Sequence, residues 1–219
     1  PTTNVKAGTP AGTVTYDTTA GYLKWCDGTN WRLTRSATRG YFVFTNTLYN
    51  GNLGGLTGAN TACFNKLKEN PGFKGRSDAR LSADNVFAFL CNTTTCNNLQ
   101  PSTTYYYASA LDSSAGGASF TTNAAGRGTG ESVNNWEGAT YFNFSTDLNG
   151  FYYSGRAAGT TTLWATTPDP VDTCNGFTSN SAGLIGRVGR VRATSSTRWY
   201  AGNQPTCNLS RYLICFVNP

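Results

Sequence analysis

The chain has 219 residues, with 17 Lys and Arg against 11 Asp and Glu, a formal net charge of +6, and neither histidine nor methionine. That length buries one substantial core and falls short of two; the lack of histidine removes Ser-His and Cys-His nucleophile pairs and histidine-ligated zinc. Only 13% of residues are charged, while Gly, Asn, Ser and Thr abound, a balance that suits a loop-rich, largely β protein better than a helical cytosolic enzyme.

No apolar run approaches the roughly 18 residues that span a bilayer, so no membrane insertion is expected. The basic residues are dispersed, which reads as a modestly basic soluble surface and gives no reason to expect a nucleic-acid partner. The start at Pro1, without methionine or a basic segment leading into an apolar one, reads as a processed product or an excised domain.

Residues 1–39 contain three β-type runs, TVTYD, YLKW and NWRLT, separated by the Gly-containing turns TTAG and CDGT. Three such strands make a meander with little core of its own, so this segment is expected to tether to the main domain or to end an oligomeric stalk. Trp25 and Trp31 flank the second turn and are expected to supply its apolar contact.

The pattern changes at Tyr41, where YFVF is the continuous apolar run of a buried strand. The stretch GNLGGLTGANTACFNKLKENPG follows, in which Ala59, Ala62, Cys63 and Leu67 fall on one helical face. Thr57 is placed to cap that helix and Pro71 with Gly72 to stop it. Cys63 therefore faces the core.

The seven cysteines are Cys26, Cys63, Cys91, Cys96, Cys174, Cys207 and Cys215. They lack paired CxxC spacing, so disulfides are the default, and disulfides imply an oxidising, extracellular or cell-surface compartment. Cys91 and Cys96 bracket NTTT and can close a short loop. Cys215, in the apolar run RYLICFV, is the best partner for Cys63, leaving Cys174 and Cys207 as a second pair. Burial and order alone leave this connectivity open. An odd count leaves Cys26 unpaired or bonded to another chain.

The middle of the chain is rich in aromatics, in TTYYYAS, NNWEGATYFNF and NGFYYSGR. Flat rings pack on the apolar faces of pyranoses. On a strand, Tyr105 and Tyr107 share one face and Tyr106 takes the other, at least one of them core; Trp136 sits among Asn134, Asn135 and Glu137 as in a polar loop. In GRVGRVRATSSTR, a strand over residues 187–192 puts Arg190 and Arg192 on one face with Arg187 pointing away. The ligand-binding candidates are thus Trp136, Tyr105, Tyr107, Arg190, Arg192 and Trp199, each weighed against an ordinary role in core or solvated surface. Catalysis is not expected: Asp84, Glu131 and Glu137 carry no recognisable motif.

The segments TNTLYNGNLGGLTGANTACFNKL, VFAFL, LWATTPDPVDTCNGFTSNSAGLIGRVG and CNLSRYLICF together resemble the endostatin-like branch of the C-type lectin-like fold. The likeness runs from Tyr41 to Val217, with a divergent middle over residues 92–161. It implies a β-rich α+β domain over residues 40–219, with few short helices and long loops, preceded by the small β-meander of residues 1–39. It also implies the nested bonds Cys63 with Cys215 and Cys174 with Cys207. Calcium-dependent members need several convergent oxygen ligands; the nearest stretches here, Thr167-Pro168-Asp169 and Gln204-Pro205-Thr206, supply too few, so no metal and no cofactor are expected. The meander GTVTYDTTAGYLKWCDGTNWRLT is similar to a short segment near the tips of bacterial or phage surface fibres. Together these likenesses imply a fibre-tip adhesin, a homotrimer, whose partner is a cell-surface glycan or protein receptor. A structural capping module of a fibre and a secreted glycoside-active enzyme are the alternatives.

Overall fold

The computed structural model describes residues 9–17, 22–26, 28, 31–33, 40–45, 47–69, 81–107, 119–128, 151–157, 165–190 and 204–219. Its elements in chain order are β1 (Val14–Asp17), β2 (Tyr22–Cys26), β3 (Trp31–Leu33), β4 (Gly40–Phe44), α1 (Gly55–Glu69), β5 (Val86–Ala88), β6 (Thr104–Tyr107), β7 (Ser119–Thr121), β8 (Phe151–Tyr153), the four-residue turn α2 (Cys174–Phe177), β9 (Val188–Arg190) and β10 (Ile214–Val217). The class is β-rich α+β with mixed sheets. The chain divides into two units, Pro1–Thr38 and Arg39–Pro219.

In the first unit, β1, β2 and β3 form an antiparallel meander, with Val14 opposite Trp25 and Cys26 opposite Trp31. Ahead of β1, the Gly12 amide donates to the Cys26 carbonyl at 2.7 Å and the Cys26 amide donates to the Thr13 carbonyl at 2.8 Å. The Trp25 and Trp31 side chains lie outside the described residues.

The second unit is built on a five-stranded sheet in the order β5-β10-β4-β6-β7. Its last strand in sequence, β10, is internal, antiparallel to β4 on one side and to β5 on the other. The continuous apolar runs of β4 and β10 follow from burial on both faces. Tyr41, Val43, Cys215 and Val217 point to one face, where Ala59, Cys63 and Leu67 of α1 pack. Phe42, Phe44, Ile214 and Phe216 point to the other, against Phe89, Tyr105, Phe120 and Tyr152. Phe42 is the hub of that second layer: its ring centroid lies 5.6 Å from those of Phe89 and Phe120 and 5.7 Å from those of Tyr105 and Phe216.

Gly40 lies opposite Tyr105 across the parallel β4–β6 pair, and a Cβ there would sit 2.3 Å from the Tyr105 ring. The absent side chain is what lets that ring lie over the sheet.

Helix α1 starts at Gly55, so Thr57 lies inside its first turn instead of capping it. The entry is made by Gly54 and Gly55, at φ 76° and 71°, a left-handed bend that a Thr-capped start lacks. The face carrying Ala59, Cys63 and Leu67 is buried, while Asn60 Oδ1 accepts hydrogen bonds from the Ala88 amide and from Asn97 Nδ2, at 2.9 and 2.7 Å, tying α1 to β5. The Pro71-Gly72 stop lies outside the described residues.

Three disulfides fasten the second unit: Cys63 to Cys215, Cys174 to Cys207 and Cys91 to Cys96. The first joins α1 to the internal strand β10; the other two close loops nested inside it. Among the described residues, no helix is long and apolar enough to cross a membrane. Three disulfides are compatible with an oxidising, extracellular location.

Turn α2 runs left-handed. Cys174, Asn175, Gly176 and Phe177 take φ of 50°, 55°, 67° and 62°, which costs about 1–2 kcal/mol for each residue with a Cβ. Four contacts hold it there. Cys174 is bonded to Cys207, the Phe177 ring lies 5.3 Å from that of Tyr153, and the Gly176 and Phe177 amides donate to the Thr173 hydroxyl and carbonyl oxygens at 3.2 and 2.6 Å.

Candidate functional site

Of the six candidate ligand-binding residues, Trp136, Arg192 and Trp199 lie outside the described residues, as does most of the divergent middle. Tyr107 is the last residue of β6, its side chain also outside them. Tyr105 is wholly buried, stacked on Phe120 at 6.0 Å, with its hydroxyl donating to Asn218 Oδ1 and accepting the Gln100 amide at 3.0 Å. Burial pushes its phenol up to about 12, with the Gln100 hydrogen bond opposing. Its ring is core and offers no face to a ligand, because the side-chain-free Gly40 beneath draws it onto the sheet. Cys26 is buried in the meander, without a disulfide in the chain, and accepts the Gly28 amide at 3.3 Å.

The two stretches nearest to a calcium motif converge, but around an arginine. Arg187 is buried between two aspartates: Nε and Nη2 each lie 3.0 Å from Asp169 Oδ2, and Nη2 also bonds Asp172 Oδ2. Asp169 Oδ1 accepts the Val171 and Asp172 amides at 3.1 and 2.9 Å, and Gln204 Nε2 donates to Asp172 Oδ2. Asp169 Oδ2 and Asp172 Oδ2, which a cation would need, are thereby committed to a guanidinium, and Asp169 Oδ1 to backbone amides. Burial raises the Asp172 carboxyl above its ordinary value, with Arg187 pulling down and Asp169 adding to the rise. Among the described residues, no three His, Cys, Asp or Glu are grouped to hold a metal.

Arg156 is fully buried, and among the described residues no carboxylate pairs with it. Nη1 donates to the Ala165 carbonyl at 2.7 Å and to Asn98 Oδ1 at 3.3 Å, Nη2 donates to the Asn97 carbonyl at 2.6 Å, and the guanidinium carbon lies 3.9 Å from the Phe89 ring centroid. Burial lowers it to about 9, with Tyr152 opposing; at neutral pH it stays charged, a clamp between the 97–98 loop, residue 165 and the aromatic layer.

Arg190 is exposed, and it is part of a row that the sequence does not display. In the β8–β9 ribbon, Phe151 is directly opposite Arg190. The parallel bridge between Tyr152 and Tyr212 brings Arg211 beside Phe151 on the same face, and the antiparallel bridge between Tyr49 and Arg211 adds Tyr49. The row thus reads Arg190, Phe151, Arg211, Tyr49 across four adjacent segments. The guanidinium carbons of Arg190 and Arg211 lie 5.4 and 5.8 Å from the Phe151 ring centroid, within cation–π range. Arg211 Nη1 donates to the Ser210 carbonyl at 2.7 Å, while its Nε is buried with no hydrogen-bond partner. Beneath the row, burial raises the Tyr153 phenol to about 12 against the pull of Arg211, and its hydroxyl donates to the Leu209 carbonyl at 2.6 Å.

Phe151 and Arg211 escaped the sequence reading. NGFYYSGR stood out as aromatic, but its adjacency to SRYLICF depends on a bridge between residues 60 apart in the chain.

No family model matches the chain, and no curated protein matches it.

Proposed function

We propose that residues 40–219 form a C-type lectin-like recognition domain of the endostatin-like branch, carried at the tip of an extracellular fibre by the meander of residues 1–39. Its task in this reading is binding a cell-surface glycan or protein, without catalysis and without a cofactor, as a homotrimer. The observation that carries it is the nested disulfide frame. Cys63 on α1 is bonded to Cys215 on the internal last strand, with Cys174–Cys207 closed inside that loop, the arrangement that the sequence likeness implies. Support also comes from the aromatic layer and the Arg156 clamp, which give loops a stiff base on which to vary.

The test is a glycan array probed with the full chain in its native oligomeric state, in EDTA, after light scattering has given its mass. Selective binding from a species of three chains is expected. Silence across the array from a well-folded trimer would refute glycan recognition and leave a protein receptor or a structural cap as the better readings.

A further inference from the structure

The five-stranded sheet ends in β5 on one side and β7 on the other, and the two edges are finished differently. At the β5 edge, Val86 and Ala88 are buried, the Ala88 amide donates to Asn60 Oδ1 at 2.9 Å and the Ala88 carbonyl accepts from Asn97 Nδ2 at 2.9 Å. Side chains thus occupy the main-chain groups of Ala88 that a further strand would use. The β7 edge carries no such cover. The Thr122 amide donates to the Thr103 carbonyl at 2.9 Å, which fixes the parity of the β6–β7 ladder. Phe120 faces Tyr105 as a hydrogen-bonded pair, while Ser119 and Thr121 oppose Tyr106 and Thr104 as non-hydrogen-bonded pairs. The N–H and C=O groups of Ser119 and Thr121 therefore point away from the sheet, and among the described residues they meet no partner. Thr121 is exposed and Ser119 half-buried. Residues 119–126 contain neither a charge nor a proline, the devices that ordinarily keep an edge from pairing.

From this we infer that β7 is a docking edge, where an extended segment of a protein receptor pairs with Ser119–Thr121 and continues the sheet as a further strand. The inference rests on the recognition reading above and names a protein as the partner. Donor and acceptor recur along the edge every second residue, about 6.8 Å apart, which is the repeat of another strand. Antiparallel pairing uses the N–H and C=O of both Ser119 and Thr121, so main-chain hydrogen bonds hold the segment and its side chains select it. On the face of Thr121, the Thr104 and Thr121 hydroxyls are hydrogen-bonded at 2.9 Å, and serine or threonine on the partner extends that row. With no charge on the edge to answer one, the segment that fits is uncharged and rich in β-branched residues.

The test exposes an array of short capped linear peptides to the full chain and to T121P. Proline suits this position, because the amide it removes faces outward and Phe120 before it is already in a strand. Thermal melts establish that the variant is folded. A second arm needs no variant: hydrogen exchange of the full chain with the best peptide, and with the same peptide N-methylated at the pairing amide. The chain is expected to select uncharged peptides rich in Thr, Ser and Val. T121P should weaken them by about tenfold or more, through the lost hydrogen bond and the ring set in the partner's path. Exchange should slow at the Ser119 and Thr121 amides and not at Ala88, and the N-methylated peptide should abolish the effect. Equal selection by T121P and the full chain overturns the inference, as does protection that appears away from β7. No selection from the array overturns it too, and leaves the recognition reading to the glycan array. A light-scattering mass that T121P halves overturns the receptor as occupant and gives the edge to a second copy of the chain.

Discussion

Replacing each disulfide in turn by an alanine pair separates chain entropy from packing. The loops closed span sequence separations of 152, 33 and 5 for Cys63–Cys215, Cys174–Cys207 and Cys91–Cys96. Constraint of the unfolded chain scales with the logarithm of loop length and gives about 5, about 4 and about 2 kcal/mol respectively. The two inner bonds shorten the outer loop, but the logarithm makes that worth only about 0.3 kcal/mol. The first two pairs are fully buried sulfurs in the core facing α1, so lost packing adds to both costs and keeps their order. Urea unfolding of C63A/C215A, C174A/C207A and C91A/C96A, read by near-ultraviolet circular dichroism without reductant, should rank them in that order. The melting temperature of the first should lie roughly 6–12 °C below that of the last. Equal losses from the outermost and innermost pairs, at unchanged m-value, would refute the reasoning and place the stabilisation in local packing.

Arg187→Met leaves Asp169 and Asp172 buried without their cation and should cost about 3–5 kcal/mol at neutral pH. Removing the arginine lifts the Asp172 folded-state value further above the unfolded one; such a group favours the folded state most below the unfolded value, so the deficit should narrow as pH falls towards 4, and a pH series of urea midpoints checks the sign. Tyr105 and Tyr153, raised to about 12, hold protons that the unfolded chain loses near 10; stability should therefore fall as pH climbs from 10 to 12, and absorbance at tyrosinate wavelengths should show these two phenols ionising last or only with unfolding. Asn175→Gly should be neutral or stabilising and Asn175→Ala destabilising by about 1 kcal/mol, because φ is 55° there; equal thermal melts for the two would refute a left-handed turn.

What the sequence made legible was local. The run YFVF reads as a strand because both of its faces meet apolar layers, and the spacing of Ala59, Cys63 and Leu67 reads as a buried helical face because nothing non-local competes with it. The start of α1 was misread because the cap rule favours Thr57, whereas paired glycines make the entry geometrically. Tyr105 looked as available as any tyrosine, since the vacancy that swallows its ring is Gly40, 65 positions earlier and brought opposite only by parallel pairing. The sequence turns Arg187 away from the face of Arg190 and Arg192 but does not show it paired; its two aspartates sit 18 and 15 residues away in a loop with no periodicity to betray it. The same holds for the Phe151 row, whose members are joined by bridge register and by no motif.

The position of β10 has a consequence for how the protein is made. The strand is synthesised after the other strands of its sheet, yet it lies between β4 and β5 and carries one end of the longest disulfide loop. Until Ile214–Val217 have emerged, β5 has no strand beside it, β4 has only β6, and Cys63 lacks its bonding partner. The second unit therefore cannot be completed piecemeal from its N-terminus during translation or export. It must wait, without the Cys63–Cys215 bond, for Ile214–Val217. Loss of residues 214–219 alone would unmake the sheet at its middle and not trim it at an edge.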